Sequence, residues 1–81
     1  MYHDRKMVEG IKGMYPEGSR IQLDSMGSDP RPIPSGTKGT VAHVDDIGTV
    51  HVNFDNGRRL GLIVGEDHFH RIRERTRDDA R

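Results

Sequence analysis

Five histidines, at positions 3, 43, 51, 68 and 70, are the residues of this chain most suited to chemistry. Imidazole nitrogens bind zinc in sets of three or four, alone or with thiolate and carboxylate donors. His43 and His51 flank the turn Asp45-Asp46-Ile47-Gly48 within VAHVDDIGTVHVNF. If Gly48 closes that turn in the left-handed conformation, Asp45 lies opposite Thr49, Val44 opposite Val50, His43 opposite His51 and Ala42 opposite Val52. Facing Cβ atoms are then about 5 Å apart. Two imidazoles at that spacing can share one zinc, and Asp45 lies two residues along on the same face. His68 and His70 would add ligands if the last strand lies nearby. The expected metal set is therefore His43, His51, Asp45, His68 and His70, and the expected cofactor is a structural zinc or none. Such a metal would add directly to the stability of a small domain. Against it stand the absence of cysteine and of any H-x3-H spacing.

Catalysis has less to work with. It needs a nucleophile beside a base, or carboxylates clustered in a rigid cleft. The carboxylate pairs Asp45-Asp46 and Asp78-Asp79 fall in a turn and in the tail, and turn formation explains the first of them. The chain is expected not to be an enzyme.

The histidines depend on a meander from Gly36 to Val64. Its first hairpin sends Val44, Val50, Ala42, Val52 and Phe54 to one face and His43, His51, Asp45 and Asn53 to the other. A register one residue shorter would bury a histidine among valines, and a one-residue slip reverses the faces. The chosen register leaves Val41 on the polar side or at an edge. In the second hairpin, a three-residue Asp55-Asn56-Gly57 turn with left-handed Gly57 pairs Val52 with Leu60 and Val50 with Leu62. His51 then faces Gly61, which leaves the outer face beside it with an open floor.

The flanks follow from the same patterning. Met7, Val8 and Ile11 recur at helical spacing, predicting a short helix from about His3 to Lys12 that ends before Gly13. Ile21 and Leu23 alternate with polar neighbours in a first strand after Pro16-Glu17-Gly18. Asp24 to Gly36 carries three of the four prolines and reads as a long irregular loop. Met26 and Arg31 are its expected contact residues. Gly65-Glu66-Asp67 reads as a turn before a last short strand in HFHRI, with Phe69 and Ile72 returning to the core. The arginine-rich tail beyond it reads as a solvated extension. The organisation is thus a helical segment at residues 1–14, a β domain at 15–72 and a charged tail at 73–81.

Composition bounds the rest. Eighty-one residues with 31% hydrophobic content and no tryptophan allow one domain with a thin core. The absence of cysteine fits a reducing cytoplasm, and no apolar run is long enough for a membrane helix or signal peptide. Thirteen basic and thirteen acidic residues give no net charge, so no strong general attraction to nucleic acid is expected.

Five short strands, a long loop after the first and a single turn before the last describe a small five-stranded SH3-like barrel. Gly36-Thr37-Lys38-Gly39-Thr40-Val41, followed by Val50 to Gly57, is similar to the glycine-valine then aromatic-Asp-x-Gly pattern of several such barrels. More specifically, Tyr15 to Ile72 resembles a family of small domains of unknown function found in conjugative elements and prophages of Gram-positive bacteria. The match is carried by Tyr15-Pro16-Glu17-Gly18, Met26-Gly27-Ser28-Asp29-Pro30, Ile33 to Val41, and Asp55-Asn56-Gly57-Arg58. The resemblance implies no activity; it implies a mobile genetic element, where small free-standing proteins often block host defences.

Two partner classes follow. From Thr40 to Gly57 there are three aspartates and no lysine or arginine. Asp45, Asp46 and Asp55, with Arg31 and Met26, would dock on a host protein whose basic channel binds nucleic acid. An anti-CRISPR protein blocking an RNA-guided nuclease in the bacterial cytoplasm is the specific form of that expectation. The alternative is a nucleic-acid-binding accessory protein of the same element, using Arg58, Arg59, Arg71, Arg73 and Arg75.

Overall fold

The computed structural model describes residues 4–27 and 31–73. One helix, α1 (Arg5–Met14), precedes five strands: β1 (Arg20–Ser25), β2 (Lys38–Val44), β3 (Thr49–Phe54), β4 (Arg59–Ile63) and β5 (His68–Arg71). All neighbouring strands run antiparallel in the order β4-β3-β2-β1-β5. The sheet is open, with β4 and β5 at its edges, and is not a closed barrel.

The helix starts and stops two residues later than the spacing predicts. Asp4 caps it, its carboxylate accepting the Met7 N–H at 2.8 Å. Gly13 lies inside the helix, which ends where Tyr15 precedes Pro16. A residue before proline is driven out of helical geometry, and Tyr15 adopts φ −127° and ψ 67°. Its N–H still bonds the Ile11 carbonyl, and its side chain packs into the core that Ile11 also joins. Proline and a core aromatic thus set the end, not the glycine.

Both glycine-bulged turns form as expected, with Gly48 at φ 88° and Gly57 at φ 92°. His43 pairs with His51, Val50 with Leu62, His51 with Gly61 and Val52 with Leu60. One expected pairing is corrected. The register shifts between Val41 and His43, so that Val41, not Ala42, lies opposite Val52. This bulge turns Val41 inward, where it is almost wholly buried, and resolves the misplaced valine.

Ile21, Leu23, Val41, Val50, Val52, Phe54 and Leu62 form one inner face, closed from above by Ile11 and Tyr15. Ile33 joins them from the proline-rich loop, a core residue that the loop's polar composition conceals. The loop is bound at several points: Gly36 donates to the Leu23 carbonyl, Ser35 Oγ to the Asp24 carbonyl, and the Leu23 N–H to the Thr37 carbonyl. Asp67, in the turn before β5, accepts from the N–H groups of Gly27 at 2.7 Å and Ile63 at 2.9 Å, tying that turn to the loop. Phe69 packs against the core from β5, and the Ile72 N–H bonds the Arg20 carbonyl.

Candidate functional site

The outer face of β2, β3 and β4 carries the predicted histidines. His43 and His51 stack across the strand pair, ring centroids 4.4 Å apart and planes within 14°. His51 Nε2 lies 2.8 Å from Asp45 Oδ2, while Asp45 Oδ1 accepts the N–H groups of Ile47 at 3.1 Å and Thr49 at 2.9 Å. Partial burial raises the Asp45 pKa, but the bonds from His51 and the turn amides outweigh it and hold the carboxyl below its usual value. Beside the histidines lies a shallow depression of about 410 Å³, lined also by Asn53, Arg59 and Gly61. Gly61 supplies its floor: a Cβ there would come within 2.6 Å of Thr49 Cγ2 and 3.6 Å of His51 Cε1.

The expected zinc set is not brought together. Stacked rings hold their nitrogens side by side instead of converging on one ion, and the Nε2 of His51 is already bonded to Asp45. His68 and His70 stand on β5, which β1 and β2 separate from β3. There His70 Nδ1 lies 2.8 Å from Asp24 Oδ2. Among the described residues, no three His, Cys, Asp or Glu side chains are grouped to hold a metal ion. Histidine 3 lies outside the described residues.

The three aspartates do not form an open acidic face either. Asp55 is bridged by both terminal nitrogens of Arg20, at 2.9 and 2.7 Å, which holds its pKa low against slight burial. Asp45 is occupied by its turn and by His51. Only Asp46 projects fully into solvent, 3.6 Å from Lys12 Nζ. The cation that cancels Asp55 comes from β1, so a scan of residues 40–57 alone misses it. In the loop, Met26 packs against the core, its sulfur 3.3 Å from the Ile33 N–H. The Arg31 carbonyl accepts from Arg58 Nη1 at 2.7 Å.

The arginines are divided between the edge strands. Arg58 precedes β4 and Arg59 begins it, whereas Arg71 ends β5 and donates to the Met14 carbonyl at 3.3 Å. Arg73 is exposed just beyond, and Arg75 lies outside the described residues. Arg59 is exposed on the outer face, and among the described residues its guanidinium has no hydrogen-bond or ion-pair partner.

A second surface escapes sequence reasoning. Met14 and Tyr15 at the end of α1 face Phe69, His70 and Arg71 of β5 across a groove of about 290 Å³. Tyr15 and Phe69 pack as tilted rings 5.1 Å apart. Burial raises the Tyr15 pKa, and nearby Arg71 partly opposes that. Met14 is 58% exposed and Met7, seven residues earlier on the same helix face, is 45% exposed. In the sequence, Met14 is legible only as an apolar residue after a glycine.

The low carboxyl pKa values of Asp45 and Asp55 set an acid limit. The unfolded chain binds protons at these carboxylates first, near pH 4, so their contribution is complete above that value. It is lost as pH falls through the folded values. Urea midpoints should therefore drop more steeply below about pH 4 for the native sequence than for the Asp45→Asn/Asp55→Asn variant. Equal acid slopes would refute the assignment.

Fold and surfaces together define a small antiparallel β domain capped by one helix, with a histidine-lined depression on its outer face and a groove between α1 and β5. The chain belongs to a family described as a domain of unknown function, DUF4314, whose profile matches residues 4–72. No curated protein matches the chain. Among the described residues, no helix is long and apolar enough to cross a membrane.

Proposed function

We propose that this chain is a non-enzymatic protein-binding module that docks its partner in the groove between α1 and β5. The observation that carries this reading is the apolar surface left open there: Met14 beside Tyr15 and Phe69, with Met7 continuing along the helix. Exposed methionines are adaptable contact residues, because the unbranched, polarisable side chain can fit itself to a partner. Exposed apolar surface rimmed by polar groups, here His70 and Arg71, marks interaction sites.

The strand order, with β5 returning to pair with β1, supports reading the domain as a relative of SH3-like barrels. A mobile-element context and inhibition of a host nucleic-acid enzyme rest on the sequence resemblance, and a cytoplasmic location rests on it together with the absence of cysteine. The acidic hairpin no longer supports that last step, since two of its three carboxylates are bonded within the domain. A surface built on Met14 takes over the docking role.

The test is capture of a defined host protein from nuclease-treated lysate, followed by binding of that purified protein. Met14→Glu should lower its affinity about tenfold or more, the scale of a lost contact residue, without changing the circular dichroism. An unchanged affinity for Met14→Glu, or capture that depends on intact nucleic acid, would overturn the reading.

A further inference from the structure

We propose that the partner adds a strand to the free edge of β5, through an antiparallel peptide segment of the order acidic-x-apolar. The proposal rests on the groove reading and deepens it, naming the form in which a partner enters that groove.

The hydrogen-bond ladder shows which backbone groups are open. On the β2 side of β1, the Leu23 N–H donates to the Thr37 carbonyl and the Leu23 carbonyl accepts from Gly36. Alternation therefore turns the groups of Arg20 and Gln22 towards β5, and the Ile72 N–H bonds the Arg20 carbonyl. The register sets Gln22 against His70, Ile21 against Arg71 and Leu23 against Phe69. His70 and Ile72 thus direct their backbone groups at β1, while those of Phe69 and Arg71 point away from it. No described strand lies beyond β5, and among the described residues these outward groups have no hydrogen-bond partner. Such an unpaired row is a template for a further strand.

The same two residues set what the added strand must carry. Phe69 and Arg71 leave the sheet on the side of Leu23 and Ile21, the side on which Tyr15 packs. Residues directly opposite each other on paired strands share a face. The partner residue opposite Phe69 therefore enters the groove of about 290 Å³ beside Met14 and Tyr15, which calls for an apolar side chain. The residue opposite Arg71 meets a guanidinium that donates to the Met14 carbonyl and has no carboxylate partner among the described residues. Its remaining donors match a carboxylate. A second depression, of about 260 Å³, continues along Arg71, Ile72 and Arg73. Arg73 likewise has no carboxylate partner among the described residues.

Charge also fixes the direction. Glu66 and Asp67 stand before β5, with Arg71 and Arg73 at its other end. An antiparallel segment brings its N-terminal side to the arginines, so its acid precedes its apolar residue by two positions. A second copy of this chain fits the edge less well. Self-pairings centred on His70 or Arg71 set like residues opposite each other, which is unfavourable for charges. The one centred on Phe69 offers Arg71 only Asp67, whose carboxylate already holds the Gly27 and Ile63 amides.

The test selects peptides from a displayed library of random nonapeptides on the full chain, then titrates the enriched sequence as a capped synthetic peptide by calorimetry. Enriched sequences should share the acidic-x-apolar order. Backbone N-methylation at the acidic or the apolar position, whose N–H groups meet the Arg71 and Phe69 carbonyls, should weaken binding about 5- to 150-fold, the range for one unsatisfied buried hydrogen bond. N-methylation of the residue between them, which points away from β5, should change the affinity little. Arg71→Gln should weaken binding about tenfold, the scale of a charge-assisted bond. Circular dichroism checks that the variant folds. A peptide indifferent to N-methylation, or with its apolar residues three and four apart, would overturn the added strand; if Met14→Glu still weakened that peptide, the groove reading would stand. Failure of any peptide to enrich would overturn this proposal alone, leaving the groove to a folded partner. A chain that is dimeric by sedimentation equilibrium and monomeric as Arg71→Gln would show the edge filled by a second copy, and would also overturn it.

Discussion

Leu62→Ala should lower the melting temperature by at least about 10 °C, taking 4–8 °C per kcal/mol for a domain of this size. Leu62 has no exposed surface and pairs across the sheet with Val50, which has none either. Removing a fully buried leucine costs about 2–5 kcal/mol, through lost transfer energy and the cavity left behind. At about 0.05–0.15 kcal/mol per residue, a chain of this length has only about 4–12 kcal/mol to lose. Relief by collapse is limited, because the neighbours are β-branched valines fixed by strand pairing on both sides. Leu60→Ala is the comparison: the same side chain two residues earlier is only partly buried, so its loss should cost clearly less. Thermal melts of both variants decide the point. A shift under about 3 °C for Leu62→Ala would mean that this core does not carry the fold.

The inner face was legible in the sequence because two turn glycines and alternating valines left one register that kept histidines out of the core. What escaped was what depends on distant strands. The bulge at Ala42 brings Val41 inward, and local patterning registers it only as a valine on the wrong side. Ile33 looks like a loop residue until the fold brings it into the same core as Leu23. The same blindness extends to the candidate sites. Alternation placed His43, His51 and Asp45 on one face, but the stacking of the rings and the carboxylate bond are matters of rotamer, beyond the reach of spacing. Asp55 looks available because its partner, Arg20, lies thirty-five residues away. Arg59 is visible only as half of a basic pair, yet Arg58 turns to the loop while Arg59 stands open.

Gly39→Ala gives the sharper test of the sheet, since two glycine substitutions should then have opposite signs. Glycine inside a strand or helix usually costs about 0.5–1 kcal/mol relative to alanine, through the freedom it loses on folding. Gly13, within α1, has nothing within 4 Å of the place a Cβ would take, so Gly13→Ala should stabilise by about that amount. Gly39 has an ordinary negative φ, so backbone conformation does not demand glycine there. Close approach does. A Cβ at Gly39 would lie 2.6 Å from Val52 Cγ1, 3.0 Å from the Asn53 carbonyl oxygen and 3.1 Å from Phe54 Cα. The valine methyl can rotate aside, but the two backbone atoms belong to β3 and retreat only if its pairing with β2 opens. Overpacking of this kind costs about 1–3 kcal/mol, which outweighs the entropic gain and makes the net effect destabilising. Urea unfolding of the two variants, read as midpoints at unchanged slope, separates the two effects. If Gly39→Ala proved as stable as the native sequence, β2 and β3 could not approach as closely as 3.0 Å from that Cβ to the Asn53 oxygen requires.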